Sequence, residues 1–418
     1  MNIWVVQIGE AFPLNTGHRK MRTAVTVEKL LECGHNVTWW TSGFDHFDKK
    51  WFVERSCVIK ISDKYRIVAI KGFGYKKNVS LSRFIDHRII AFKWSRMAPE
   101  FPVPDLILCA MPSHDLAYQV ISYGKKNQIK TILDIRDPWP EVFVEQTPKI
   151  LRSIIRTFLF HEYNLLKYSV KNASVLVAVT KTFLDWATKI AGRRKINYDR
   201  VYYLGSEATA DDKGEHDFFG VKEDWVTKCS GKFVVCFIGT FARYHDPEIL
   251  CKCAARAQKN NMEMIFLICG SGEKFAEYQS RYADLSNLIL TGWLDANQIQ
   301  GILKLSSIGV CPTTFDVDLF PNKAFTYFSA GLPVVSAFSG DLKDVIERRN
   351  LGFNYKLGDL EDLWTKILQL YGNEDLRREM AMNVRELFES QFDSQRIYSN
   401  YVDFIEQIFR TDQIFEIS

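Results

Sequence analysis

Long apolar runs, low-complexity tracts and internal repeats are all missing from this sequence of 418 residues. A membrane-spanning helix needs about 18 consecutive apolar residues, and no such stretch occurs. Residues 1–8 enter an apolar run directly, without a basic leader or a small-residue cleavage site, so we expect no secretion. The missing repeats and biased tracts exclude solenoid and low-complexity architectures.

The sequence also lacks an excess of either charge and has few cysteines. Lysine and arginine number 54 and aspartate and glutamate 50, which is too even a balance to predict a nucleic acid partner. The nine cysteines are odd in number and lie mostly in apolar runs, so we expect a reducing cytoplasm rather than a disulfide framework. Cys251 and Cys253 are two residues apart in a helical stretch, face different sides and are poor joint metal ligands.

Short apolar runs alternate with amphipathic helical patterns along both halves of the chain. This alternation predicts parallel sheets covered by helices on both faces, and the length predicts two doubly wound, Rossmann-like α/β domains. Strands are predicted at 3–8, 36–41, 105–110, 130–134, 175–179, 233–238, 264–269, 288–291, 308–312 and 334–337.

The predicted domain boundary lies in the segment 205–224, where charged residues and glycine cluster without apolar periodicity. We predict a first domain at 1–205, a second at 206–395, and a C-terminal helix at 396–418 that braces both. Ligands of open parallel sheets bind beyond the carboxyl ends of the strands, so a cleft between the two facing sheets is the expected site.

The segment 320–333 predicts a short helix whose N-terminus faces an anion. Pro321 and Asn322 suit a helix start, and Gly331 suits its left-handed end. Lys323 in the first turn opposes the helix dipole unless a negative ligand lies in front of it. A diphosphate is the predicted ligand of this helix start.

Glycine turns follow several of the predicted strands, and their order carries a resemblance. These positions are Gly9 and Gly17, Gly239 with Thr240, Gly270 and Gly272, and Gly292 with Trp293. With the helix at 320–333, the chain resembles a GT-B glycosyltransferase of family four. The segment 133–141, which contains Arg136-Asp137-Pro138-Trp139-Pro140, resembles that of a subgroup that builds bacterial surface polysaccharides such as O-antigen and capsule.

The resemblance implies transfer of a sugar, of hexosyl type, from a nucleotide diphosphate donor, with retention at the anomeric carbon and without a metal or other cofactor. UDP is the favoured nucleotide, and the acceptor is a saccharide or a polyprenyl-linked saccharide. The candidate catalytic residues are Arg243, Lys323 and Asp318, and also Asp137 and His114, whose positions beyond predicted strands favour contact with the acceptor. The donor-binding residues implied are Gly17, Gly239, Thr240, Gly270, Gly272, Gly292, Trp293, Phe320, Asn322 and Thr326.

The sequence departs from the family pattern at one acidic pair. Asp318 and Thr326 occupy the places where the family has an acidic residue for the sugar and a glutamate for the ribose. A threonine hydroxyl in place of the carboxylate weakens that contact by about a few kcal/mol. Asp316 and Asp318 also form a D-x-D that would hold a metal in another glycosyltransferase fold, but here a solvated loop is expected.

Other residues leave alternatives open. Trp293 fits base contact or packing equally, His114 fits an acceptor contact or a helix start, and Arg136 with Asp137 fits an acceptor role or a structural ion pair. The segments 81–97 and 150–168 mix basic and large apolar residues, which predicts peripheral binding to an anionic membrane at its cytoplasmic face.

Two other functions fit the same pattern. A sugar-nucleotide 2-epimerase shares the architecture and needs no acceptor. A non-catalytic partner subunit would keep the fold without the chemistry, and Thr326 is the residue that supports it.

Overall fold

The computed structural model describes residues 1–15, 20–78, 80–145, 147–208, 220–241, 247–316 and 318–411. The chain forms two compact units. The first comprises Met1–Tyr203 and the chain from Tyr398 on, and the second comprises Leu204–Ile397.

The first unit is built on an eight-stranded sheet. Its strands are β1 Asn2–Val6, β2 Asn36–Ser42, β3 Cys57–Lys60, β4 Tyr65–Ile70, β5 Leu106–Ala110, β6 Lys130–Ile135, β7 Val175–Ala178 and β8 Arg200–Val201. The strand order is β3-β4-β2-β1-β5-β6-β7-β8, with Ile3 of β1 opposite both Val37 and Leu106. All described pairs are parallel except β3 with β4. The sequence pattern missed β3, β4 and β8, so the prediction of a purely parallel sheet was wrong at this edge.

Helices cover this sheet along the chain. They are α1 Arg22–Glu32, α2 Leu81–Met97, α3 His114–Lys126, α4 Glu141–Glu145, α5 Arg152–Phe158, α6 Phe160–Asn172 and α7 Lys181–Ala191. Strands β1, β5 and β6 are buried on both faces because helices pack on each side. The core includes Trp4, whose indole ring lies 5.1 Å from that of Trp40 and 6.2 Å from that of Trp94.

The second unit is a six-stranded sheet whose paired strands are all parallel. Its strands are β9 Phe233–Ile238, β10 Met264–Cys269, β11 Leu288–Gly292, β12 Ile308–Cys311, β13 Val334–Ser336 and β14 Gly352–Asn354. The strand order is β11-β10-β9-β12-β13-β14. Its helices are α8 Glu223–Cys229, α9 Glu248–Lys259, α10 Phe275–Arg281, α11 Ala296–Leu305, α12 Asn322–Ser329, α13 Asp341–Arg349, α14 Leu360–Tyr371 and α15 Glu374–Leu387.

The C-terminal helices follow one another with short breaks. Helix α14 ends before Gly372, and Asn373 caps α15 by accepting a hydrogen bond from the amide of Leu376 at 3.0 Å. A π-helical turn, Phe388–Phe392, follows. The last helix, α16 Ser394–Arg410, buries Tyr401, Val402 and other residues of its apolar face in the core of the first unit. No described helix is both long and apolar enough to span a bilayer.

Candidate functional site

The strand order of the second unit places a crevice between β9 and β12. From β9 the chain continues to β10 and β11 on one side, and from β12 to β13 and β14 on the other. In such doubly wound sheets, ligands bind at the carboxyl ends of the strands where the order reverses. Gly239 and Thr240 follow β9 at this edge, and α12 begins eleven residues after β12 ends, at Asn322.

The loops after β9 and β10 run side by side with no room for side chains between them. The amide of Phe241 donates to the carbonyl of Ser271 at 3.0 Å. A Cβ on Gly270, whose φ is +135°, would lie 1.9 Å from the carbonyl oxygen of Gly239. A Cβ on Gly272 would lie 2.3 Å from the carbonyl oxygen of Phe241. These two glycines therefore fix the backbone at the rim of the crevice.

Lys323 brings a buried positive charge to the same place. It lies in the first turn of α12, is only 9% exposed, and its ammonium stands 4.1 Å from the centre of the Phe237 ring. A Cβ on Gly239 would lie 2.8 Å from its Nζ, so the charge faces the loop after β9. No described residue accepts a hydrogen bond from Nζ. Burial lowers the pKa of Lys323 to about 8, against a small opposing effect of the Cys311 thiol.

The start of α12 adds backbone donors to this charge. Pro321 precedes the helix and no side chain caps it. A helix start without a side-chain cap presents its first amides to an anion. The hydroxyl of Thr326 donates to the carbonyl of Asn322 at 3.3 Å, and so turns toward the first turn of its own helix.

Asp318 is held against the start of α13. The N-cap of that helix is Gly340, with φ of +70°, and a Cβ there would lie 1.0 Å from Oδ1 of Asp318. Nearby, the hydroxyl of Ser339 donates to Asp316 at 3.0 Å. The loop after β12 therefore keeps an exposed carboxylate at a position that only glycine leaves open.

The first unit carries a buried ionic network at the carboxyl end of β6. Arg22 holds Asp134 through two hydrogen bonds of 2.8 and 3.2 Å, and Arg136 donates to the same carboxylate at 2.9 Å. Arg136 also binds Glu10, which accepts from Thr23 at 2.9 Å. Although burial opposes ionisation, the two guanidinium groups hold the pKa of Asp134 below its usual range. Two cations and two anions compensate each other here, which indicates a structural network.

Asp137 lies just beyond this network with its side chain exposed. Desolvation raises the pKa of its carboxyl to about 6, although Arg83 and Arg136 oppose that effect. The predicted ion pair between Arg136 and Asp137 was wrong, since Arg136 pairs with Asp134 and Glu10 instead. The acceptor role of Asp137 stays a prediction.

Comparisons with solved structures decide the fold. The chain is similar to sucrose-phosphate synthase from Thermosynechococcus elongatus, with a TM-score of 0.72 and 14% identity over 98% of this chain and 99% of that one. It is also similar to HepE of Anabaena in complex with UDP, with a TM-score of 0.67 and 14% identity over 97% of this chain and 100% of that one. The chain has a GT-B fold.

A family model and a curated relative agree with the GT-B fold. Residues 232–373, from just before β9 to the residue before α15, match the family described as "Glycosyl transferases group 1". N-acetyl-alpha-D-glucosaminyl L-malate synthase of Bacillus anthracis is 20% identical over 260 residues, 60% of this chain. That match covers 64% of the relative, slightly less than two thirds of its length. The match to the glycosyltransferase group 1 model therefore lies within the second unit of this GT-B chain.

Several sequence-predicted residues of the GT-B site come together in the second unit. Lys323, Gly239 and Gly270 meet at the carboxyl end of β9, and Asn322 opens the helix beside them. Thr240 is exposed at the same edge. Gly292, at the end of β11, accepts a hydrogen bond from the amide of Gly270 at 2.8 Å. Their assignment to donor binding stays a prediction, and Gly17 and Arg243 lie outside the described residues.

The two aromatic residues predicted to bind the donor, Trp293 and Phe320, differ in their exposure to solvent. Trp293 is 76% exposed, so the packing alternative was wrong and the ring is open to a ligand. Phe320 is only 7% exposed and stacks on Phe325 with ring centres 4.3 Å apart. Phe328 and Phe392 complete this aromatic cluster. The donor contact predicted for the Phe320 side chain is therefore not supported, because its ring belongs to the core.

The role predicted for His114 needs correction as well. The residue is 2% exposed, its Nδ1 lies 2.8 Å from Glu162, and its Nε2 lies 3.1 Å from the carbonyl oxygen of Trp139. Both ring nitrogens are engaged, so the ring cannot bind an acceptor in this geometry. His114 instead joins α3 to α6 and to the segment after β6.

The two basic and apolar segments differ in detail from their predicted pattern. On α2, Leu81 is 82% exposed and Phe92 59%, but Arg83 is buried at 8% exposure. In the second segment, Ile150 is 86% exposed and Phe158 80%. The pattern placed Arg83 in solvent because a basic side chain in an amphipathic helix is expected in water.

Proposed function

We propose that the protein is a retaining glycosyltransferase of family four that moves a sugar from a nucleotide diphosphate donor, with UDP favoured, to a saccharide or lipid-linked saccharide acceptor. The reaction belongs to cell-surface polysaccharide biosynthesis and needs no metal. The donor binds the second unit and the acceptor the first.

The observation that carries this proposal is the buried ammonium of Lys323. Burying a charge without a partner is unfavourable, and a site that does so is built for a ligand of opposite charge. The amides at the start of α12 and the narrow glycine loops after β9 and β10 surround that charge. A diphosphate supplies negative oxygens for both the ammonium and the amides.

The same groups support the chemistry of transfer. As the bond from the anomeric carbon to the phosphate oxygen breaks, negative charge grows on the diphosphate, and Lys323 with the α12 amides stabilises it. The acceptor hydroxyl attacks the same face of the sugar, and its proton passes to the departing phosphate oxygen. A protein base is therefore unnecessary, and Asp318 is left to hold the donor sugar.

The exposed apolar residues support attachment to an anionic membrane at its cytoplasmic face. Ile150, Ile154 and Phe158 stand in solvent within a segment that also carries Arg152 and Arg156. We expect the protein to co-sediment with phosphatidylglycerol vesicles and not with phosphatidylcholine vesicles. The double substitution Ile150→Ser with Phe158→Ser should reduce that binding, and equal sedimentation of both proteins would remove membrane attachment from the proposal.

A thermal-shift screen of nucleoside diphosphates tests the donor site, because a ligand of the folded state raises the melting temperature. We expect UDP to raise it with and without EDTA. No shift with any nucleoside diphosphate contradicts the proposal, and a shift abolished by EDTA contradicts metal independence. Incubating the protein with a UDP-sugar and no acceptor then tests the 2-epimerase, which would convert the sugar nucleotide by itself.

Thr326 supports one competing function, a non-catalytic partner subunit. Its hydroxyl engages the carbonyl of Asn322 and supplies no charge for a ribose. We expect Thr326→Glu to tighten UDP binding by about tenfold, since hydrogen bonds to a charged group contribute about 1.5–3 kcal/mol. Thr326→Gln is the uncharged control. If neither the natural protein nor the Thr326→Glu variant binds any nucleotide, the partner role is favoured.

A further inference from the structure

Loops after four strands of the first unit surround Arg83, which lies in the first turn of α2. Gly9 follows β1, His46 follows β2, Tyr75 follows β4 and Trp139 follows β6. All four strands are parallel, so these loops emerge at one edge of the sheet. That edge is where parallel sheets bind ligands.

Arg83 is held there with part of its hydrogen-bonding capacity unused. Its guanidinium carbon lies 4.4 Å from the ring centre of Trp139 and 5.4 Å from that of Tyr75. Nη1 donates to the carbonyl of Asn78 at 2.9 Å. Nε is buried and has no partner among the described residues, and none of them forms an ion pair with Arg83. The aromatic rings therefore fix the guanidinium, and Asp137 and Asp86 act on its charge electrostatically without forming an ion pair with it.

Lys49 is a second cation beside it. Its ammonium donates to the carbonyl of His46 and to the side chain of Asn78, and no described carboxylate pairs with it. Two of the three acidic residues beside Arg83 and Lys49 are already engaged by backbone amides, and the third, Asp137, acts on Arg83 electrostatically. Asp45 accepts the amide of residue 12 at 2.8 Å, and Asp86 accepts that of residue 74 at 2.7 Å.

Burial shifts the pKa of all three basic groups here, and the two cations add to the shift of their neighbours. Burial lowers the pKa of Arg83, and burial together with Arg83 lowers that of Lys49. Burial first, then Arg83 and Lys49, lowers the pKa of His46 to about 4. His46 is therefore neutral at pH 7 and shares a 2.6 Å hydrogen bond with the hydroxyl of Tyr75. The part of this shift that comes from Arg83 and Lys49 reflects a positive local potential, which favours an anion.

The backbone leaves space in front of Arg83. Gly9 has φ of +92°, and a Cβ added there would lie 3.7 Å from Nη2 of Arg83. We propose that Arg83 and Lys49 form an oxyanion site that binds a carboxylate or phosphate group of the acceptor. The planar guanidinium fork matches either group with two parallel hydrogen bonds. The naming of the anion as part of the acceptor rests on the proposed function, whereas the anion site itself does not.

Binding of two simple probes tests the site in the full-length protein. Inorganic phosphate and succinate are titrated in saturating UDP and at constant ionic strength, and the melting temperature is followed. We expect both anions to stabilise the natural protein, and Arg83→Met to weaken their binding by about tenfold or more, since a charge-assisted bidentate contact is lost. Stabilisation by phosphate and not by succinate would assign the site to phosphate groups.

Three further variants keep the test decisive. Asn78→Asp alters an exposed side chain, neutralises Lys49 and should weaken anion binding even if Arg83→Met folds poorly. Arg96→Met, an exposed arginine of the same helix, should change nothing. Lys323→Met should abolish UDP binding and leave anion binding intact, which separates failure of the donor site from failure of this one. Anion binding unaffected by Arg83→Met and Asn78→Asp, or no anion binding by the natural protein, overturns the proposal.

Discussion

Replacing Lys323 by methionine should make the ligand-free protein more stable while removing its response to UDP. The pKa of Lys323 falls from 10.5 to about 8 because its ammonium is buried. At about 1.36 kcal/mol per pKa unit, the difference corresponds to about 3 kcal/mol of lost stability at pH 7. The cation–π contact with Phe237 offsets about 1 kcal/mol of this loss of stability. Methionine has a similar length and packs well on aromatic rings, so we expect a net gain of about 2 kcal/mol.

The pH dependence of this gain has a definite sign. A lysine whose pKa is lower in the folded state binds fewer protons there than in the unfolded chain between pH 8 and 10.5. The natural protein therefore gains stability as pH rises through that window. The advantage of Lys323→Met should be fully present below pH 8 and should vanish above 10.5.

Urea unfolding at pH 7 and pH 9.5, with and without UDP, measures both effects. UDP at about 100 times its dissociation constant should stabilise the natural protein by about 2.7 kcal/mol and leave Lys323→Met unchanged. Lys356→Met, at an exposed lysine of the same unit, should alter stability by less than about 0.5 kcal/mol. The reasoning is refuted if Lys323→Met is less stable than the natural protein and UDP stabilises both equally.

Two further substitutions test the framework of each unit by chemical unfolding. Gly270→Ala should lower the free energy of unfolding by more than about 3 kcal/mol, because its Cβ meets a carbonyl oxygen at 1.9 Å. Gly220→Ala, with positive φ but open space, should cost about 1 kcal/mol, and equal effects would contradict the steric argument. Arg22→Met should cost about 3–5 kcal/mol, since it leaves the buried Asp134 short of a partner. The exposed Arg378→Met should cost less than about 1 kcal/mol, and a similar loss for both would show that burial does not matter.

The strands of both sheets were predictable because parallel strands buried on both faces are continuous apolar runs. Each predicted run corresponds to a strand, with bounds that differ by a few residues. The missed strand Tyr65–Ile70 has that pattern in its second half and should have been found, whereas the other missed strands lack it. In Cys57–Lys60, at the edge, half-buried and exposed residues alternate, and Arg200–Val201 and Gly352–Asn354 are too short for a period.

The site was predictable only where local geometry defines it. The place of Lys323 in the first turn of a helix follows from the proline before it and the glycine after it. The sequence could not predict that Nζ of Lys323 has no hydrogen-bond partner among the described residues, because this depends on how β9 packs beneath α12. The two contacts that engage His114 come from Glu162 and Trp139, which lie 48 and 25 residues away. Separations of that size leave no periodic trace in a sequence.

Helix α2 shows why a mixed basic and apolar pattern has two meanings. Leu81 and Phe92 are apolar residues in solvent, whereas Arg83 is a basic residue in the interior. Apolar residues are usually buried and charged residues exposed, and α2 departs from this in both directions. The exposed apolar side chains need an apolar partner to cover them, and the buried arginine needs an anion. An anionic bilayer would cover the exposed side chains of Leu81 and Phe92, and an anionic acceptor would compensate the buried guanidinium of Arg83. One helix could then hold a membrane-borne substrate and the membrane that carries it.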